Sequence, residues 1–252
     1  MPKIARQSVP VIALVALAAC SFQWDSEAEA QKAGVAGTGS GNARTFAVAD
    51  FDGVELRGSD DVDVHVGGAF CVRAEGDSAM LDRLRIARDG AVLKVGRQNG
   101  SKWGWGKGQK VRVFVTMPRI ASASVAGSGN LAVDRAQGTR FAGSIAGSGN
   151  LAVAGMQVDA AELSIAGSGN VTAAGTAKRL TADIAGSGDI DAAALRAQGG
   201  KVSVAGSGNV RAAVQGDAQV NVMGSGDIDL GPAARCVVRK MGSGTVRCGT
   251  QR

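Results

Sequence analysis

Asp191 and Asp229 are the residues best placed to do chemistry. They occupy the same step after a repeated Gly-Ser-Gly turn, two repeats apart. Paired carboxylates on one outer face would suit acid–base cleavage of a polysaccharide. The full column at that step reads Ala132, Ala152, Thr172, Asp191, Arg211, Asp229, Arg247. Each acid is therefore expected to lie beside an arginine, and opposite charges on neighbouring strands favour each other by about 0.2–1 kcal/mol per pair. That pattern describes a charged surface better than a catalytic pair. A carbohydrate-active enzyme is the lesser alternative. His65, the sole histidine, alternates with Val62, Val64 and Val66 and is expected on the exposed side. One histidine builds no histidine-rich metal centre, and the serines are turn residues with no histidine nearby in sequence. No catalytic residue, metal or cofactor is assigned, and the chain is read as no enzyme.

The fourth turn residues are Asn130, Asn150, Asn170, Asp189, Asn209, Asp227 and Thr245. Stacked at one corner, they would bond side chain to side chain as a structural ladder. Calcium binding is the rival reading. The calcium-binding Gly-rich repeat has a nine-residue period with an Asp in every unit, and neither property is present. The strongest interaction candidate is the loop Gln98–Lys110, which sets Trp103 and Trp105 among Lys102, Lys107 and Lys110. Trp rings stack on sugars and sit well at membrane interfaces. Folding back over the solenoid is the bland alternative. Cys236 and Cys248 lie six residues either side of Gly242, in the inward phase, and are expected to pair across the last turn in an oxidising compartment. Cys71, in Phe70-Cys71-Val72, is expected to be a buried free thiol.

These residues are positioned by one repeated element. The turn Gly127-Ser128-Gly129-Asn130 recurs at Gly147, Gly167, Gly186, Gly206, Gly224 and Gly242, at spacings of 20, 20, 19, 20, 18 and 18 residues. A fixed period in this range marks a stacked architecture. Apolar residues stand two before the first Gly (Val125, Ile145, Ile165) and four and six after it (Leu131, Val133). That is period-two alternation on both sides of a turn, the signature of short half-buried strands. Hairpin repeats would need an equally strong second turn between corners, and the midpoints are weak and varied. The expected fold is all-β, a right-handed parallel β-helix-like solenoid with coils of about 20 residues. A hairpin or prism-like stack is the alternative.

Residues 1–19 read as an export signal. Lys3 and Arg6 precede the apolar run Val9–Ala19, which is too short to span a bilayer. It ends in Leu17-Ala18-Ala19-Cys20, which resembles a bacterial lipoprotein signal with Cys20 as the lipidated residue. Ser21 rather than Asp follows, which by the same resemblance favours the outer membrane. Residues 20–44 are polar and small, as in a flexible tether. Setting Lys3 and Arg6 aside reduces the formal charge from +6 to +4. That is no nucleic-acid footprint. The expected partners are the membrane, through the lipid, and an envelope glycan or surface protein; the oligomeric state is open.

Residues 45–252 are expected to form the solenoid, with 121–252 as the regular repeats. Residues 45–120 carry a degenerate copy of the pattern: Val54–Val64 keeps Gly58-Ser59, then alternating Val. They are read as atypical starting coils that cap the stack, with an Asp89-Gly90 hairpin and a strand over Lys110–Thr116 ended by Pro118. Val54–Val64, Val111–Met117-Pro118 and the serial Gly-Ser-Gly-Asn/Asp turns resemble the head GIN domain family of auto-transporter adhesins. The resemblance implies an exported, β-helix-like domain, noncatalytic and adhesin-like or scaffolding. It carries over no catalytic residue.

Overall fold

Every coil begins from the same local event. At Gly127, Gly147, Gly167, Gly186, Gly206, Gly224 and Gly242 the backbone takes φ between 128 and 136°, a region that side-chain-bearing residues resist. The chain turns there and re-enters a strand three or four residues later. In this computed structural model, which describes residues 34–97 and 110–251, those strands pair in parallel with the coils before and after. Asn150–Gly167 runs beside Asn170–Gly186 with Asn150 opposite Asn170 and Gly167 opposite Gly186. The chain is thus a parallel β-solenoid rather than a meander of hairpins.

The side-chain phase gives the shape of a coil. In Asn150–Gly167 the buried positions are Leu151 and Val153, then Met156 and Val158, then Ala161, Leu163 and Ile165. Strict alternation would continue in steps of two. The two steps of three, at 153/156 and 158/161, are where the strand bends. With the Gly-Ser-Gly turn they divide each coil into three runs. The 19-residue spacing enters the same way: the register between Val153 and Met156 shifts against the next coil.

Parallel stacking lays inward residues into columns, and neighbouring columns share the volume. Phe141 stacks on Ala161, and Gly143 stacks on Leu163. A Cβ on Gly143 would lie 2.8 Å from a methyl of Leu151 and 3.1 Å from one of Leu163. The next coil holds Leu180 over Ala161 and Ala182 over Leu163. Over these three coils large and small residues alternate in both columns, so neighbouring levels share the core volume.

The N-terminal end is built differently. Gly53–Gly58 and Asp61–Val66 form the first regular corner, with Gly58 at φ 118°. Ser122–Gly127 returns to stack on Gly53–Gly58, and Asn130–Val133 on Asp61–Val66. Between them the chain makes a long excursion. Val92–Arg97 pairs in parallel under Gly53–Gly58, and Arg112–Met117 under Asp61–Val66. Antiparallel strands then end both sheets: Leu84–Asp89 on one side, Cys71–Glu75 and Ala43–Phe46 on the other. Gly90, at φ 57°, turns the hairpin, and the helical turn Ser78–Leu81, capped by Asp77, seals the end with buried Leu81. This end is therefore one corner, one further level beneath it and a cap, laid down out of chain order. Cys71 contradicts expectation: it is exposed, because Val72 and Ala74 take the inward phase of that strand.

At the opposite end Cys236 and Cys248 are joined by a disulfide across 12 residues. Cys236 is buried and Cys248 packs at the core's edge. A loop of this size is expected to contribute about 3 kcal/mol by restricting the unfolded chain. Replacing Cys236 with Ser should lower stability locally: amide exchange over 235–251 should accelerate while 142–206 stays protected. Uniform loss of protection along the whole stack would contradict this picture of an end clamp.

Candidate functional site

The corner column carries a hydrogen-bonded polar residue on successive coils. Asn150 Nδ2 donates to Asn130 Oδ1 at 2.8 Å, and Asn170 Nδ2 to Asn150 Oδ1 at 3.1 Å. Asn130 Nδ2 in turn donates to Asp61 Oδ1 at 2.7 Å. The ladder therefore starts at Asp61, a rung that reading the sequence missed. Its signal was Gly58-Ser59-Asp60-Asp61 aligned on Gly127-Ser128-Gly129-Asn130. Above Asn170 the bonding changes. Asp189 Oδ1 accepts from both the backbone N (2.9 Å) and Nδ2 (2.8 Å) of Asn209. Asn209 Oδ1 accepts from Asp227 N at 3.0 Å, and Asp227 Oδ1 from Thr245 N at 2.8 Å. Asn130, Asn150, Asn170, Asp189, Asn209 and Asp227 thus spend polar atoms on each other or on the next backbone.

Asp60 occupies the slot that glycine fills in every later corner. It is fully buried and holds the strands beneath the first corner. Arg97 Nε donates to its Oδ2 at 2.8 Å, a second guanidinium nitrogen bonds Oδ1, and Val111 N donates to Oδ1 at 3.0 Å. That pairing raises the Arg97 pKa further above its ordinary value. Lys110 Nζ lies 3.1 Å from Asp61. Arg97 and Lys110 are thus moored to adjacent acids. Lys102, Trp103, Trp105 and Lys107, between them, lie outside the described residues, as does Cys20.

The outward faces are columns of repeated residues. One strand face carries Ser124, Ser144 and Ser164 in one column and Ala126, Ala146 and Ala166 in the next. Together they line a long shallow groove. The other strand face carries the charged column. Asp191 is in register with Arg211, Arg211 with Asp229, and Asp229 with Arg247. The carboxylates turn to their own chain: Asp191 accepts from Ala193 N at 3.2 Å and Asp229 from Gly231 N at 3.0 Å. His65 is exposed, and its Nδ1 lies 2.7 Å from Asp134. Asp134 also accepts from Val66 N at 2.9 Å, so it ties two coils. Among the described residues, no group of three or more His, Cys, Asp or Glu could hold a metal ion.

A family model described as "Putative auto-transporter adhesin, head GIN domain" matches residues 50–231. The chain belongs to this family. The head GIN match begins just before the first corner and ends two residues after Asp229, short of Arg247 in the charged column. Crystal structures of similar shape include a "putative adhesin" from Bacteroides fragilis, with TM-score 0.72 and 19% identity over 82% of this chain and 95% of that one. Another, a "putative lipid binding protein" from Parabacteroides distasonis, has TM-score 0.62 and 22% identity over 84% and 98%. A third, a "putative adhesin" from Parabacteroides merdae, has TM-score 0.61 and 19% identity over 84% and 97%. At these identities the likeness is one of fold. No curated protein matches the chain.

The foot of the ladder is acid-sensitive. Burial raises the Asp61 pKa, but the hydrogen bond from Asn130 and the Lys110 ammonium outweigh it, and the net shift is below the ordinary 3.8. A depressed carboxylate contributes stability that is complete above its unfolded pKa and is lost as pH falls through the folded one. Asp61→Asn should therefore flatten the fall in melting temperature below about pH 4. Unchanged acid sensitivity would show that the load is carried elsewhere.

Proposed function

We propose that this head GIN protein is a noncatalytic lipoprotein of the bacterial outer membrane. It is anchored through Cys20 and presents its solenoid as a rigid adhesin-like or scaffolding surface. The anchor rests on the sequence, Leu17-Ala18-Ala19-Cys20 after a basic and apolar run. Several acyl chains would hold the chain firmly, since each buried CH₂ contributes about 0.8 kcal/mol.

The observation that supports the noncatalytic reading best is the state of the acids on the outer faces. Asp191 and Asp229 are each bonded to backbone and flanked in register by arginine. A glycan-cleaving site needs an acid with a raised pKa facing a free base. Here the acids satisfy the fold. The contact element is the loop bearing Lys102, Trp103, Trp105 and Lys107. Its flanks, Arg97 and Lys110, are held by Asp60 and Asp61. Trp faces between lysines suit an envelope glycan with anionic groups.

Two measurements test this. Cys20→Ala should abolish palmitate labelling and release the protein from the membrane fraction; persistent labelling would remove the anchor. Liposomes displaying the mature chain should bind isolated envelope polysaccharide saturably. Trp103→Ala/Trp105→Ala should cut that binding about tenfold or more, the equivalent of about 1.4 kcal/mol for two lost stacking rings, with an unchanged melting temperature. Equal binding by both would leave the loop as a cover for the solenoid and turn the search to protein partners.

A further inference from the structure

Three large hydrophobic side chains are exposed among the described residues: Met223 at 59%, Val237 at 53% and Met241 at 74%. All three point outward from one strand face, and all three lie at one end of it. Above Val92–Arg97, eight successive strands of that face stack in parallel, from Gly53–Gly58 to Arg235–Met241. Two of its outer columns end in large side chains. After Arg57 on the first strand, one column is alanine on five strands, Ala126 to Ala205, and ends Met223, Met241. The flanking column begins Gly53, Ser122, carries Glu162 and Lys201 midway, and ends Gln219, Val237.

We propose that this face is an interface with a second copy of the chain, the two stacks lying face to face and antiparallel. A two-fold axis parallel to the strands keeps each column against itself and reverses the order of coils. The first strand then meets the eighth, the second the seventh, and the fourth the fifth. Met223 lies over the partner's Ala126, and Val237 over the partner's Gly53. At the centre Ala166 meets the partner's Ala185, and the Ser164 hydroxyl can donate to the partner's Asp183. Met223 and Val237 of each copy thus meet small positions of the other, and Met241 lies along the stem of the partner's Arg57.

Charge selects this orientation over the parallel one. In the antiparallel pair Glu55 faces the partner's Arg239 at both ends. Glu55 holds Arg57 through one oxygen at 2.7 Å, and the second oxygen can accept from the partner. A two-fold axis along the stack would instead set Arg239 against the partner's Arg239 and crowd the methionine ends together. The area is adequate. Eight strands of six residues span about 34 by 20 Å, about 700 Å² per copy. Two copies then bury about 1,400 Å², within the range of stable, specific interfaces.

The test uses the full chain extracted in mild detergent, with Cys71→Ser to remove the exposed free thiol. Ala126 and Met223 are five strands apart within one copy, about 24 Å, too far for an internal disulfide. The double variant Ala126→Cys/Met223→Cys should oxidise to a covalent dimer, while either single variant should not. Adding Ala166→Arg should lower the dimer yield about tenfold or more with no change in melting temperature. Three results would each overturn the proposal: no dimer from the double variant, a dimer from Met223→Cys alone, or a yield unmoved by Ala166→Arg.

Discussion

One carbonyl per coil carries the architecture. The oxygen of Gly127 accepts from Ser148 N and Gly149 N, both at 2.9 Å. The oxygen of Gly147 accepts from Ser168 N at 2.9 Å and Gly169 N at 3.1 Å. These bonds hold successive corners so close that no Cβ fits between them; at Gly186 and Gly206 a single donor, Ser207 N and Ser225 N at 2.9 Å, keeps the same spacing. A Cβ on Gly147 would lie 2.5 Å from the Gly127 oxygen, and one on Gly169 2.2 Å from the Gly149 oxygen. The first corner glycine is thus required twice, by its backbone angle and by the contact. The second is required by the contact alone. Once corners are locked at this spacing, strand register follows, and with it the core columns, the amide ladder and the outer faces.

The first corner shows the rule by its exception. Nothing lies within 4 Å of a Cβ on Gly58, because no regular corner sits beneath it. The second glycine is therefore free to be Asp60, and its carboxylate does another job: it pins Arg97 and Val111 and closes the bottom of the stack. The two ends are closed by different chemistry, an ion pair on the buried Asp60 below and a disulfide above. Between them stability is a sum of near-identical neighbour contacts, as in other repeat proteins.

Much of this was legible in the sequence because the constraint acts on residue type. Gly at a fixed interval gave the coil length, and alternation around it gave inside and outside. The parallel order followed from the weak midpoints such as Ala154-Gly155, which bend a continuous strand without reversing it. The beginning was less legible. Residues 67–121 are an excursion within one coil, so levels are stacked out of chain order, and a linear reading cannot see that Val92–Arg97 slides beneath Gly53–Gly58. Cys71 was misplaced for a smaller reason: its strand is only five residues long, Cys71–Glu75, and its phase is set by Val72 and Ala74. The charged column was read in correct register, but Asp191 and Asp229 prefer the nearby backbone N–H to the arginine across the strand.

The most direct test of this account is the stability of Gly169→Ala beside Ser168→Ala. Gly169 has no left-handed backbone angle to protect, so only the stacking contact can penalise a methyl group there. The account predicts a urea midpoint lowered by the equivalent of about 3 kcal/mol or more, with loss of amide protection at residues 168–170, and a near-native midpoint for Ser168→Ala. A Gly169→Ala protein as stable as the parent would contradict the claim that close contact between corners dictates the fold.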